Sequence, residues 1–353
     1  MNLRSNDRLK QEKINFILIM YDYREFDYER IFDRFKNNTV VIIGDVMLDT
    51  YLIGRVERIS PEAPVPICEV YDRQYKLGGA SNVALNLQRL GAKPIICSVI
   101  GDDDTGKIFT KLMKNNLLDE CCIVTSPKRK TTNKIRVMGE NHQMLRIDEE
   151  SKSELDTTSY LQLVKQLEIV IKNQTVNAII FEDYDKGVIN KVLIDKVFEL
   201  TKGKIPVYSD PKYKNFNSYH DIELFKPNLS EFKNGLKIDF GSEDIFCCLK
   251  KHCNKLHEEK NINKIMVTMG DRGMFISVKN GDQLHIKTTP RNVVDVSGAG
   301  DAVISVATLM DVEGCNLGFT AFISNIAGGI VCEEVGVVTV NKERVLKEIK
   351  TSI

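Results

Sequence analysis

From Thr39 onward, short runs of β-branched residues alternate with amphipathic segments. Val40-Val41-Ile42-Ile43 reads as a buried strand. Ala80 to Leu90 carries Val83, Ala84, Leu87 and Leu90 on one helical face, and Pro94 to Ile100 is a second strand. Further buried strands are expected at Ala178–Phe181, Pro206–Ser209, Leu224–Phe225 and Lys264–Thr268. Strands alternating with helices predict a doubly wound α/β domain whose mostly parallel sheet is covered on both faces. In such sheets ligands gather at the carboxyl ends of the strands, so the polar residues there are the ones to inspect.

Two regions break the alternation. Tyr51 to Val70, with Pro61, Pro64 and Pro66, is extended in character. Thr131 to Asp148 reads as a hairpin of Asn133–Met138 and Gln143–Asp148 turning at Gly139-Glu140-Asn141. Together they predict a small inserted β-sheet, a lid able to exclude water from the carboxyl edge. The alternative is an edge extension with no role at the site. The polar set Lys134, Arg136, Gln143 and Arg146 favours the lid, because a purely structural flap has no need of it.

Length and charge narrow the function class. At 353 residues the chain suits one main domain, expected over 36–345, with an appendage. Forty-nine Lys and Arg balance 49 Asp and Glu, which points to small-molecule chemistry rather than a nucleic-acid groove or an anionic membrane. Residues 1–35 are expected to form an arm, loosely ordered to about residue 25, with Met20 as an alternative start. Neither an export nor a membrane segment is visible, and nine scattered cysteines fit reduced thiols of a cytoplasmic protein. Cys247, Cys248, His252, Cys253 and His257 contain two Cys-to-His pairs at helical spacing. A zinc site there is disfavoured, since the pairs are offset around the helix and no CxxC accompanies them.

Asp295-Val296-Ser297-Gly298-Ala299-Gly300-Asp301 closes a polar, glycine-rich turn and opens the apolar helix Ala302 to Met310. Glycines let backbone N–H groups crowd an anion, and the helix start adds unpaired donors, with Asp301 beside them to take a proton. Read alone, the junction is more simply an ordinary capped helix start, and it is the rest of the sequence that reverses this. Gly101 to Ile108 nearly spells a P-loop, but lacks the final hydroxyl and carries three aspartates that repel phosphate. It reads better as an N-capping turn. At other strand ends stand Asp45 and Asp49, then Gly78-Gly79 with Asn82, groups suited to sugar hydroxyls. Asn228 and Glu231 are three apart, either beside a hydrated magnesium ion or as a capping box.

Gly78-Gly79, Asn228 to Glu231, the turn Val267-Thr268-Met269-Gly270-Asp271-Arg272-Gly273 and Gly298-Ala299-Gly300-Asp301 together resemble the ribokinase, or PfkB, family of carbohydrate kinases, from about Val40 to Val340. Gly44 to Asp49, Arg58 to Pro66, Lys134 to Val137 and Gln143 to Asp148 resemble its heptose 7-phosphate kinase subgroup. Glu182-Asp183-Tyr184-Asp185 and Ala302 depart from that subgroup's pattern, adding two carboxylates that bear on sugar preference or magnesium binding.

The resemblance implies a ribokinase-like fold and an ATP- and Mg2+-dependent kinase acting on the anomeric hydroxyl of D-glycero-D-manno-heptose 7-phosphate, in ADP-heptose and lipopolysaccharide synthesis. It implies Asp301 as base, with Gly298, Ala299 and Gly300 as the anion hole. Asp49 and Asn82 become sugar ligands, with Gly78 and Gly79 allowing close approach and Asp45 grouped with them. Asn228 and Glu231 serve phosphate and magnesium, Thr268, Gly270 and Gly273 the nucleotide, and Asp295 a monovalent cation such as K+. Lys134, Arg136, Arg146 and Lys186, with Gln143, are expected to clamp the sugar phosphate. A homodimer through the lid is expected. Only 13 residues follow Val340, too few for an adenylyltransferase, so kinase activity alone is expected. The rival readings are another sugar or nucleoside kinase of the family and a non-catalytic sugar- or nucleotide-binding regulator.

Overall fold

The computed structural model describes residues 26–139, 142–289 and 291–352. The main sheet comprises β1 (Thr39–Gly44), β4 (Lys93–Gly101), β5 (Ile123–Ser126), β8 (Ala178–Glu182), β9 (Val207–Asp210), β10 (Leu224–Phe225), β11 (Lys264–Thr268), β12 (Met274–Val278) and β13 (Gln283–Ile286). Its order is β13-β12-β11-β10-β9-β8-β1-β4-β5. Pairing is parallel from β11 through to β5, and antiparallel for β12 and β13. The sequence strands fall where the β-branched runs predicted them. The β12–β13 hairpin went unrecognised because it follows β11 without an intervening helix.

Alternation along β1 explains the layering. Val40 and Ile42 join one buried cluster and Val41 and Ile43 the other, so both faces of the sheet are packed and neither can be polar. One face receives the Ala80–Leu90, Ala299–Val312 and Leu317–Val331 helices, and the opposite face receives Thr157–Asn173, Lys191–Thr201 and Ile245–Lys260. Ala299–Val312 is buried from Asp301 to Met310, which explains its apolar composition all round. Strand order reverses beside β1, with β4 on one side and β8 on the other, opening a crevice at the carboxyl ends of β1 and β8.

The lid is a separate four-stranded sheet, ordered β3-β2-β6-β7, from β2 (Val46–Ile59), β3 (Pro66–Gly79), β6 (Thr132–Gly139) and β7 (His142–Glu149). It reaches further than the segments 51–70 and 131–148, since β2 leaves β1 almost at once and β3 runs to Gly79. Glu140 and Asn141 of the expected turn lie outside the described residues. Register gives the lid two unlike faces. Asp49, Lys134 and Asp148 share one row and Tyr51, Arg136 and Arg146 the next, while Thr50, Ile135 and Ile147, and Leu52, Val137 and Leu145, line the opposite face.

The expected arm is shorter than 1–35. Tyr28–Arg34 is a helix capped by Asp27, and its Ile31 and Phe32, with Phe35, enter the core. Residues 1–25 lie outside the described part. The Cys/His-rich segment is also structural: His257 is buried and donates from Nδ1 to Ile262 O (2.6 Å) while Nε2 accepts from Ser277 Oγ (2.8 Å), leaving no nitrogen for a metal. Asp103 caps the helix after β4 through Gly106 N (2.7 Å), as the N-capping-turn reading requires. Because Leu309 is fully buried at the centre of this packing, Leu309→Ala should lower unfolding free energy by roughly 2–5 kcal/mol in denaturant melts. A loss below about 1 kcal/mol would mean that this helix is not held as described.

Candidate active site

The crevice is built from strand ends. β1 stops at Gly44, where an added Cβ would lie 2.0 Å from Glu182 O, so only glycine lets β1 and β8 stay paired there. Asp45 follows. Its Oδ2 accepts from Tyr184 N (2.9 Å) and Lys186 N (3.0 Å), and its Oδ1 from Val188 N (3.0 Å). Its carbonyl also accepts from Ala80 N (3.0 Å). Expected among the sugar ligands, Asp45 is instead a buried brace for the 184–188 loop. Burial pushes its carboxyl up from the ordinary value, against the three N–H groups that favour the anion.

Gly78 and Gly79 end β3 and lead into the Ala80–Leu90 helix. A Cβ on Gly78 would fall 2.1 Å from Asp49 Oδ2, and Gly79 has φ +59° with Asp45 O 2.4 Å from its Cβ position. The pair therefore leaves room for the Asp49 carboxylate and lets the helix that carries Asn82 start against Asp45. Asp49 is buried and ion-paired with Arg136, whose guanidinium also stands 5.3 Å from the Tyr51 ring centre.

Asp301 lies in the first turn of the Ala299–Val312 helix, buried, behind Gly298 at φ +82°. Its Oδ2 accepts from Asn82 Nδ2 (2.6 Å) and its Oδ1 from the Tyr184 hydroxyl (2.8 Å). Burial raises its carboxyl above the ordinary range, while those two bonds favour the anion. A carboxylate so oriented, beside unpaired N–H groups at a helix start, can accept a proton from a hydroxyl next to a bound phosphoryl group.

Other predicted residues divide. Lys134 stands 5.2 Å from the Tyr184 ring centre, one side chain from Asp301, and burial lowers its pKa. Lys186 is bound to Glu150 (2.6 Å), Arg146 is half-exposed and paired with Asp148 (2.8 and 3.0 Å), and Gln143 is exposed on β7. Asn228 and Glu231 form the capping box: Glu231 N donates to Asn228 Oδ1 and Asn228 N to Glu231 Oε2, both at 2.8 Å. Glu231 also pairs with Lys212. Since both its oxygens are engaged, Glu231 suits a metal held through water better than one ligated directly. Asp295 accepts from Ser297 N and Gly336 N (2.9 Å each). Burial opposes its charge, but these bonds prevail and lower its pKa.

A bridge between Asn228 and Thr268 joins the capping box to the turn that holds Gly270 and Gly273. Beside it opens a cavity of about 590 Å3, lined by Thr268, Gly270 and Gly273 on one side and Val296, Ala299, Gly300 and Gly328 on the other. Its volume suits a ligand of nucleotide size.

Sequence reasoning named Glu182 and Tyr184 only within a departure from the subgroup's pattern, and missed Asp210, Lys212 and Lys226. Lys226 is buried against Asp210 (2.7 Å), and Lys212 stands over the Tyr184 ring at 5.2 Å. Burial disfavours the Lys226 charge, yet Asp210 and Glu231 raise its pKa above the ordinary value. All five follow or end strands β8, β9 and β10, so the strand-end rule could have found them.

An α/β sheet with an inserted lid, a carboxylate at a glycine-opened helix start and an adjoining cavity define a small-molecule kinase. The fold recurs in phosphofructokinase-2 from Escherichia coli, at TM-score 0.72 and 19% identity over 88% of this chain and 97% of that one. It recurs also in Arabidopsis thaliana ribokinase complexed with ribose and ATP, at TM-score 0.65 and 16% identity over 89% and 98%. Residues 37–344 match the pfkB family of carbohydrate kinases, and the chain belongs to that family of phosphotransferases. Among curated proteins it resembles bifunctional protein HldE of Geobacter sulfurreducens, 34% identical over 87% of this chain and 62% of that protein. HldE of Caulobacter vibrioides is 35% identical over 86% and 61%. The chain thus spans less than two thirds of the length of these relatives.

The brace can be tested apart from any substrate. Asp45→Ala strands the Tyr184, Lys186 and Val188 N–H groups and should destabilise the protein by about 1–3 kcal/mol, with faster hydrogen exchange at 184–188. Unchanged stability together with lost sugar binding would return Asp45 to the sugar ligands.

Proposed function

We propose that the chain transfers the γ-phosphoryl group of ATP to the anomeric hydroxyl of D-glycero-D-manno-heptose 7-phosphate, giving the 1,7-bisphosphate for ADP-heptose and lipopolysaccharide core synthesis. The observation that carries this reading is a row of inward cations along β6, Lys134 and Arg136, set one side chain from the base: Lys134 over Tyr184, and Tyr184 bonded to Asp301. A neutral sugar needs no such row, whereas a sugar phosphate brings a dianion that does. The similarity to HldE and the subgroup motifs at 58–66 and 134–148 support the heptose.

In this reading Asp301 takes the proton of the anomeric hydroxyl, while the N–H groups of the Gly298–Asp301 turn receive the negative charge of the transferring group. Asp49, held by Arg136, and Asn82 orient the sugar. Lys134 and Arg136 face its phosphate, with Arg146 at the rim. The nucleotide occupies the cavity beside Gly270, Gly273 and Gly300, and Lys226 and Lys212 offset phosphate charge. When bound, Mg2+ neutralises and aligns the phosphates, with Asn228 and Glu231 holding it through water. A monovalent cation belongs near Asp295. Closing the lid excludes water that would otherwise accept the phosphoryl group.

The same reading makes the protein a cytoplasmic homodimer. Its nine cysteines are all free, as a reducing compartment requires. Among the described residues no helix is long and apolar enough to cross a membrane. The lid's apolar face leaves Leu145 and Ile147 about half exposed (55% and 44%), a surface that a second copy would cover.

Asp301→Asn should lower kcat by about 10²- to 10⁴-fold while ATP still binds by calorimetry, and near-normal turnover would defeat the base assignment. Lys134→Ala should raise KM for the heptose phosphate and leave KM for ATP unchanged; equal rises would remove Lys134 from the clamp. Assaying heptose 7-phosphate, fructose 6-phosphate and ribose in parallel, with phosphorus NMR of the product, should yield an anomeric phosphate from the heptose alone. Turnover of another sugar instead would move the substrate and keep the kinase.

A further inference from the structure

The cavity beside Gly270, Gly273 and Gly300 has one wall without regular structure. Residues 291–296 belong to no helix or strand, yet Arg291, Val293 and Val296 line the space. Such a segment keeps its place only through discrete bonds. Its far end is held by the backbone, where Val294 N (2.8 Å) and Asp295 N (3.2 Å) donate to Cys332 O, just past the Leu317–Val331 helix.

At its near end the tie is a side chain. Arg291 Nη1 donates to Glu333 Oε1 (3.1 Å) and Glu348 Oε1 (3.3 Å), and Nη2 pairs with Glu348 Oε2. The Arg291 side chain is 10% exposed. It crosses the Leu317–Val331 helix at Gly329, where a Cβ would stand 2.7 Å from Arg291 Cδ, so the absence of a side chain there opens its passage.

A cation lining a nucleotide cavity is most simply a phosphate ligand. The charges here argue otherwise. Both terminal nitrogens of Arg291 are engaged by carboxylates, and Arg344 joins the same network through Glu333 and Glu348 (3.4 Å). A guanidinium held by two carboxylates at once is fixed in direction, with its charge already answered. Arg344 and Glu348 belong to the C-terminal helix Lys342–Ser352, which Val345 and Ile349 anchor in the core. Glu348 does not line the cavity and meets it only through Arg291.

We propose that Arg291 is a positioning residue of the nucleotide site: latched by Glu333 and Glu348, it fixes the 291–296 wall and makes ATP binding depend on the C-terminal helix. The inference rests on the reading that the nucleotide occupies this cavity, and is independent of which sugar is the acceptor.

The test uses the full chain with ATP and Mg2+ as the only ligands. Calorimetry reads affinity and stoichiometry, hydrogen exchange is followed across 291–296, and the melting temperature monitors the fold. Glu348→Gln should weaken ATP binding roughly 5- to 50-fold at unchanged stoichiometry, with faster exchange at the Val294 and Asp295 amides. Arg291→Ala should do the same, and the double variant should lose no more than the weaker single one. A purely structural role would lower the number of sites at unchanged affinity. That result, wild-type affinity in Glu348→Gln, or fully additive losses would overturn the proposal. If Arg291→Ala does not fold, Glu348→Gln alone decides on the same readings. Val296→Trp separates the inference from the reading beneath it, since it fills the cavity and should abolish ATP binding. Loss there with wild-type affinity in Glu348→Gln overturns the positioning role alone, whereas undiminished binding in Val296→Trp removes the nucleotide from the cavity and overturns both.

Discussion

Asp45 is the joint on which the crevice depends. Its carbonyl holds the start of the Ala80–Leu90 helix and its amide donates to Glu182 O (3.1 Å), while its carboxylate gathers three N–H groups of the 184–188 loop. One buried residue thereby ties together β1, the root of the lid, the end of β8 and the loop that carries Tyr184. Buried backbone donors must find acceptors, and here a single carboxylate supplies three. Without it the Tyr184 hydroxyl has no fixed position beside Asp301.

Around that joint the protein concentrates negative charge where water is scarce. Glu182, Asp210 and Asp301 are all buried, and the Glu182 carboxyl is pushed well above its ordinary range by burial and then by its two acidic neighbours. Lys226 answers Asp210 from the end of β10, and Lys212 answers Glu231. A site that must receive polyphosphate would be expected to be lined by cations alone. This one pairs its cations with carboxylates, which keeps the lysines charged in a low dielectric.

The lid divides its work by the period-two alternation of its strands. Its inward rows carry Asp49, Tyr51, Lys134 and Arg136, and Tyr51 and Lys76 hold the segment around Val337 through its N–H (3.2 Å) and C=O (3.1 Å). Its outward rows carry the apolar Leu52, Ile135, Val137, Leu145 and Ile147 beside the hydrogen-bonded pair Thr50 and Asn133. A one-residue slip would exchange the faces, so Gly78 and Gly79, which set where β3 ends against Asp49 and Asp45, bear on the whole lid as well as on the crevice.

Sequence alone determined most of the architecture. The β-branched runs marked six strands of the main sheet, the face of Ala80–Leu90 was visible in its apolar spacing, and the two extended regions marked the lid. These features follow from local periodicity, which the chain carries in itself. The glycine-rich motifs likewise pointed to the Asp301 turn and to Gly78-Gly79, because close backbone approaches restrict residue type locally. Partnership was decided only by the tertiary structure. Asp45 as a brace, Glu231 shared between a capping box and Lys212, Lys186 drawn to Glu150, and Tyr184 between two lysines are contacts across long stretches of chain. Sequence shows a charged side chain and the strand end it leaves from; which opposite charge it meets depends on strand order and register, and those exist only once the sheet has formed.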